Sequence, residues 1–292
     1  MRVPRLGEVT EGLRRCAALT TVAAVIGVGG CAAGPAPSPQ ASEVASTAAH
    51  PGALPDRDLS GIFSGYDGTL VIYSVESGEY VRVNPERAAQ GYEPASTFKI
   101  MNSLVALETR AITDEFEVIA WDGQIRDNPT WNRDQTLRSA IRNSVVWVYQ
   151  ELARRIGRER MQDYVDRVGY GNGDISGPLD YFWLDGGLRI SADQQVEFLK
   201  RLYFRDLPFS DRTMATVRRI LIRERAPGYT LSGKTGSGLI DTGSVGWFVG
   251  HVQTDKGAYI VAVNITSQGT DAGGAAAQAI AMKGLRRLEI VP

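Results

Sequence analysis

Apolar and polar positions change period twice along this chain, and the changes mark out its elements. Residues 69–75 and 80–83 are β-branched and aromatic runs on either side of Glu76-Ser77-Gly78, the pattern of two strands joined by a hairpin turn. From Pro94 to about Arg225 the apolar residues recur every three or four positions, which predicts helices over 95–109, 137–156, 158–167, 192–203 and 212–223. Clusters of Gly, Asn, Asp and Pro between them read as loops. After Pro227-Gly228 the strand pattern returns at 229–234, 244–252 and 258–266, with Thr254-Asp255-Lys256-Gly257 as a turn, and 275–288 reads as a closing helix. Strands from both chain ends around a helical block imply an α+β fold: one antiparallel sheet flanked by helices, plus an inserted all-helical region.

The first residues follow a different logic. Arg14 and Arg15 precede an apolar run, 16–29, that closes on Val28-Gly29-Gly30-Cys31. Small residues directly before a cysteine predict a lipoprotein-type signal peptide over 1–30, with Cys31 as the lipidated residue. Glu8 and Glu11 make the leader less basic than usual, so ordinary cleavage or a short anchor are alternatives. The Ala-, Ser- and Pro-rich stretch 31–57 reads as a flexible tether, and 58–292 as the folded domain. The expected location is the periplasm or cell envelope, with membrane contact only through the N-terminal lipid.

Composition narrows the chemistry. The 292 residues are 43% hydrophobic and 22% charged, enough for a sizeable core. Lys and Arg number 32 against 33 Asp and Glu, with no basic stripe among aromatics, which speaks against a nucleic-acid partner. The two cysteines, Cys16 and Cys31, both lie in the leader segment, so no disulfide braces the domain. With His50 in the tether and His251 alone in the domain, a His/Cys metal centre is excluded on ligand count. A Ser-His-Asp triad would rest on His251 alone. Monomer and homodimer are both compatible with this composition.

Lysine is scarce, occurring at positions 99, 200, 234, 256 and 283, and two of the five fall in motifs with chemical meaning. Ser96-Thr97-Phe98-Lys99 is S-x-x-K at the start of a predicted helix, where a three-residue step brings the amine to the hydroxyl. By itself the motif is weak, since chance supplies roughly 0.3 such pairs in a chain of this composition. Lys234-Thr235-Gly236 at the end of a predicted strand joins a cation, a hydroxyl and a residue that admits close backbone approach. S-x-x-K followed by K-T-G is the order found in penicillin-recognising serine enzymes.

Further motifs select one class among them. Ser144-Val145-Val146 resembles the S-x-V element of class D (oxacillinase-type) β-lactamases, and Tyr170-Gly171-Asn172 resembles their Y-G-N loop. Phe182-Trp183-Leu184 with Gly187-Leu188-Arg189-Ile190-Ser191 resembles the tryptophan segment of that family, and Trp247-Phe248-Val249-Gly250 its strand after K-T-G. The likeness runs in order from about Asp58 to the C-terminus.

The resemblance implies a β-lactamase/transpeptidase-like domain that hydrolyses penicillin-type antibiotics through a Ser96 acyl-enzyme and confers resistance. It implies that Lys99 is N-carboxylated by carbon dioxide, with no separate cofactor and no metal, and serves as general base. Phe98, Val146, Trp183 and Leu184 are the residue types for a dry pocket around it. Ser144 is expected to relay a proton to the lactam nitrogen beside Lys234, and backbone N–H groups of Ser96 and Ser237 to hold the oxyanion. Thr235, Gly236, Ser237, Tyr170 and Asn172 are the expected substrate-binding residues. Many class D enzymes also carry a carboxylate-binding arginine near the last helix. Here Asp271 onward reads Asp-Ala-Gly-Gly-Ala-Ala-Ala, so carboxylate binding falls to Lys234, Thr235 and Ser237. The rival readings are a β-lactam receptor, which would acylate once and stop, and a peptidoglycan transpeptidase or carboxypeptidase.

Overall fold

The computed structural model describes Gly52, residues 54–269 and residues 271–292. The leader, Cys31 and most of the tether lie outside the described residues.

Strands β1 (Asp67–Ser74) and β2 (Tyr80–Val83) form the expected hairpin. A short helix, α1 (Pro85–Ala89), leads to a 3-10 turn at Ala95–Phe98 that runs directly into α2 (Lys99–Glu108). The helical block continues with α3 (Leu137–Arg142), α4 (Val146–Ile156), α5 (Arg158–Val168), the single-turn α6 (Phe182–Asp185), α7 (Ala192–Phe204) and α8 (Asp211–Ile220). Strands β3 (Ile222–Ala226), β4 (Tyr229–Ile240), β5 (Gly243–Thr254) and β6 (Ala258–Ser267) precede the closing helix α9 (Gly274–Arg287). The six strands form one antiparallel sheet in the order β2-β1-β6-β5-β4-β3.

The sheet is covered on both faces, which explains why its strands read as nearly unbroken apolar runs. Val71, Tyr73, Trp247, Val249, Ile260 and Ala262 point into the core shared with the helical block. Their neighbours Leu70, Ile72, Phe248, Val261, Val263 and Ile265 point to the opposite face, against Ile280, Ala281 and Leu285 of α9. The period of two within each strand thus feeds two cores.

Four expectations change in detail. The helix read over 137–156 is broken: Asn143 ends α3, Ser144 takes φ 55°, and α4 restarts at Val146. The helix read over 212–223 stops at Ile220, and 222–226 pairs with β4 as an edge strand, because cross-strand bonding outweighs the weak local preference of Ile-Arg-Glu-Arg-Ala. K-T-G lies in mid-strand, since β4 runs on to Ile240. The last tether residues pack on the domain: Leu54 N–H donates to Glu79 at 3.1 Å and Arg57 pairs with Glu289 at 2.6 Å.

Candidate active site

Ser96 sits in the 3-10 turn and Lys99 on the first position of α2. In a 3-10 turn residues three apart eclipse one another, more closely than in an α-helix. Lys99 Nζ accordingly donates to Ser96 Oγ at 2.7 Å. The residue before the nucleophile, Ala95, is buried with φ 47°, a left-handed conformation that costs a side chain roughly 1 kcal/mol. That bend sets Ser96 at the head of the turn, where its N–H lacks an intrahelical partner. The turn is anchored from beneath: Trp247 of β5 donates its indole N–H to Glu93 O at 2.8 Å, and Gln195 of α7 donates to Thr97 Oγ1 at 2.9 Å.

Lys99 is fully buried, with no carboxylate beside it among the described residues. Burial strips water from the ammonium form and pulls its pKa from the ordinary 10.5 to about 7. Tyr149 of α4 lies under it, with Nζ 5.4 Å from the ring centroid, and Ser103, which donates to Lys99 O within α2 at 2.7 Å, ties α2 to α4 through a 3.0 Å hydrogen bond with Tyr149 OH. Above the turn, α6 brings in aromatic cover. Trp183 stacks on Phe98 at 5.5 Å, and Phe182 meets Phe98 edge-on at 5.0 Å. Leu184 is half-buried against the same core, and Val146 opens α4 two residues past Ser144. Among the described residues nothing accepts a hydrogen bond from Trp183 Nε1, although the side chain is fully buried. An orphaned buried donor costs about 1–3 kcal/mol, so the pocket has room in its bonding for one more acceptor.

A second pair faces this one. Lys234 Nζ donates to Ser144 Oγ at 3.0 Å and to Thr235 O at 2.8 Å. The left-handed backbone at Ser144, held between α3 and α4, presents the hydroxyl to β4. Lys234 is buried, and its pKa is driven well below the usual value by desolvation, then by Lys99 and Arg223. The two pairs meet because β4 lies hard against the 3-10 turn. A Cβ on Gly236 would stand 3.1 Å from Pro94 O and 3.3 Å from Thr97 Cγ2, so a side chain there would push strand and turn apart by a few tenths of an ångström. Gly274 does the same for α9, where a Cβ would fall 2.5 Å from Thr235 Cβ. Ser237 Oγ accepts from Gly274 N–H at 2.9 Å, which fixes the start of α9 on the strand.

Ser96, Lys99, Ser144, Lys234, Thr235, Gly236 and Ser237 are thereby brought to one cleft. Tyr170 and Asn172 are not: Tyr170 is 1% exposed, with its ring edge-on to Phe98 at 5.6 Å and to Phe198 at 5.1 Å. Asn172 bridges two loops, donating to Gly187 O and accepting from the N–H of Arg189 and Asp174. Tyr170 thus builds the aromatic wall, while Asn172, itself exposed, ties its loop to residues 187–189. His251 stacks on Tyr203 at 3.8 Å, and burial followed by Arg218 lowers its pKa to about 4. It is half-buried against that ring and makes no hydrogen bond to Ser96. Sequence reasoning missed Tyr149, Gln195 and Ser103. Their periodic positions on helices gave no sign that they underpin Lys99.

Comparison with known proteins agrees with this geometry. Residues 39–286 match the family model described as the penicillin binding protein transpeptidase domain. The chain is 44% identical to "Probable beta-lactamase YbxI" of Bacillus subtilis over 72% of its own length and 78% of that protein. It is 42% identical to β-lactamase OXA-48 of Klebsiella pneumoniae over 77% of its length and 84% of that protein. Among solved structures, a class D β-lactamase YbXI from Nostoc superposes with a TM-score of 0.78 at 44% identity, covering 81% of this chain and all of that one. A class D β-lactamase from Bacillus subtilis gives 0.76 at 40% identity, covering 81% of this chain and 98% of the other.

Proposed function

The chain belongs to the class D β-lactamases, serine hydrolases of the transpeptidase fold, and we propose that Ser96 opens the β-lactam ring with the side chain at position 99 as general base. The observation that carries this reading is a fully buried lysine 2.7 Å from a serine hydroxyl, with no counter-charge and a pKa near 7.

A neutral amine adds carbon dioxide, and the unpartnered N–H of Trp183 gives an N-carboxylated Lys99 an acceptor-hungry neighbour in a dry pocket formed by Phe98, Val146, Trp183 and Leu184. Such a carbamate would supply a carboxylate base where the free amine supplies only a lone pair. Ser96 Oγ loses its proton to the side chain of residue 99 and attacks the lactam carbonyl carbon. Charge gathers on the carbonyl oxygen, between the N–H groups of Ser96 and Ser237. Ser144 passes its hydroxyl proton to the lactam nitrogen as the C–N bond breaks, and Lys234 Nζ steadies the oxygen left behind. The proton held at residue 99 passes on to the Ser144 oxygen, which frees the base; water, deprotonated at residue 99, then cleaves the Ser96 ester, the proton returns to Ser96 Oγ and the ring-opened acid leaves.

The same reading places the enzyme outside the cytoplasm. The leader over 1–30 exports the domain, and Cys31 lipidation with the 31–57 tether holds it at the membrane. No helix of the described residues is long and apolar enough to cross a membrane. Hydrolysis at that location confers β-lactam resistance. A chromogenic cephalosporin tests the reaction. Continuous turnover over many equivalents is expected, whereas a single burst of one equivalent would identify a receptor or a transpeptidase. Ser96→Ala removes the turnover altogether.

A further inference from the structure

Glu93, just ahead of the turn that bears Ser96, is fastened twice. Its carbonyl accepts from the indole N–H of Trp247 on β5, and its Oε1 forms a 3.0 Å ion pair with Arg189, which lies between α6 and α7. The Glu93 side chain is 11% exposed, and its Oε2 is buried with no hydrogen-bond partner among the described residues. Burial raises its pKa above the ordinary carboxylate value and Arg189 pulls the other way, while Asp185 at the end of α6 and Asp241 in the β4–β5 turn add to the rise. One guanidinium thus stands among carboxylates from three parts of the cleft rim, and it pairs with Glu93.

Arg189 also fastens α6. Its Nη1 donates to Gly186 O, the first carbonyl past the helix, at 2.7 Å, and to Leu188 O at 2.9 Å. A single turn such as Phe182–Asp185 does not hold its own shape, because the cost of nucleation outweighs so few hydrogen bonds, and no side chain caps its start. Its place over Lys99 rests on the packing of Phe182 and Trp183 against Phe98 and on whatever fixes its exit. The backbones alongside run close together. Tyr92 and Ile190 exchange hydrogen bonds at 2.9 and 2.8 Å, and a Cβ on Gly91 would stand 3.2 Å from Arg189 Cβ. The segment that leads into Ser96 and the segment that leaves Trp183 therefore share one ion pair.

We propose that Glu93 is a positioning residue: through Arg189 it holds α6 closed over Lys99 and so sets how tightly the amine takes up carbon dioxide. The proposal rests on the reading of residue 99 as a carbamate base. Uptake forms a bond from Nζ to the carbon of carbon dioxide and releases a proton, so the product is an anion that depends on a dry pocket and on the unpartnered N–H of Trp183. A shift of α6 weakens both at once.

Turnover measured against bicarbonate, on protein first stripped of carbon dioxide, tests the proposal. Glu93→Gln keeps the shape and removes the charge. It is expected to raise the bicarbonate needed for half-maximal activity about fivefold, the scale of a partly exposed ion pair, with kcat at saturating bicarbonate close to wild type. Arg189→Gln should give a loss of the same sign, the double variant no more than the larger single loss, and Arg189→Lys a partial recovery. An unchanged bicarbonate requirement in Glu93→Gln, single losses that simply add, or a fall in kcat that saturating bicarbonate does not repair would overturn it. The carbon-13 carbamate resonance of the wild type reports on the base separately. If it is missing, the reading of residue 99 fails and this proposal fails with it; if it is present while Glu93→Gln keeps the wild-type requirement, the proposal alone fails.

Discussion

Lys99 carries the account at the scale of single residues. In the folded protein its amine releases the proton near pH 7, while in the unfolded chain it keeps the proton up to 10.5. Between those values the unfolded state binds more protons, so stability rises with pH across that window, and below about 7 the full cost of burying the group is present. In carbon-dioxide-free buffer, Lys99→Met should therefore raise the unfolding free energy at pH 7 by an amount on the order of a few kcal/mol while abolishing turnover. Its advantage should shrink toward pH 10, as denaturant titrations of both proteins would show. Activity follows the same group with a different consequence: below about pH 7 the ammonium form can neither add carbon dioxide nor accept a proton. Acylation, measured by stopped flow, should fall through that pH and recover in part when bicarbonate is added. Trp183 is the second test at this scale. Trp183→Phe keeps most of the stacking on Phe98 but removes the orphan N–H, so it should need at least tenfold more bicarbonate for half-maximal activity, with little loss of stability. Unchanged bicarbonate dependence would remove the indole from the account.

At the scale of elements the site depends on how closely β4 approaches the turn that bears Ser96. Gly236→Val places a branched side chain against Pro94 O and Trp247 Cβ, which must part the strand from the turn. A loss of about 100-fold in kcat/KM with native secondary structure by circular dichroism is expected, since an oxyanion donor is displaced. The elements also show where the sequence was legible. Long helices with strong periodicity, α5 and α7, emerge close to their expected bounds. So do β1, β5 and β6, whose alternation serves two cores. The misses share a cause. Periodicity continued smoothly through Asn143-Ser144-Val145, but Lys234 recruits the Ser144 hydroxyl and the backbone breaks there at φ 55°. Arg223 was read as the last turn of a helix because nothing local announces an edge strand, and its bulge exists only through pairing with β4. Motif residues were found because their chemistry is unusual in sequence. Supporting residues such as Tyr149 and Gln195 look like ordinary helix positions until the helices are packed. Tyr170 and Asn172 show the converse, a recognisable motif whose contacts in the structure are with the aromatic wall and with a neighbouring loop.

Over the described residues the domain is a sheet with a helical block on one face and α9 packed on the other, and the chemistry sits at the edge where the three meet. The turn bearing Ser96 comes from the helical block, Lys234 from the sheet, and the start of α9 closes the strand from the far side. The solved class D β-lactamases it resembles, at TM-scores of 0.78 and 0.76, share that fold. What the fold achieves as a unit is to keep one amine dry, easily deprotonated near pH 7 and 2.7 Å from an alcohol. The most direct measurement is carbon-13 NMR of the purified protein in labelled bicarbonate. One carbamate resonance per molecule is predicted, absent in Lys99→Met and lost in parallel with activity as carbon dioxide is stripped. A spectrum without that resonance, from protein that turns over penicillin at full rate in carbon-dioxide-free buffer, would contradict the proposed base.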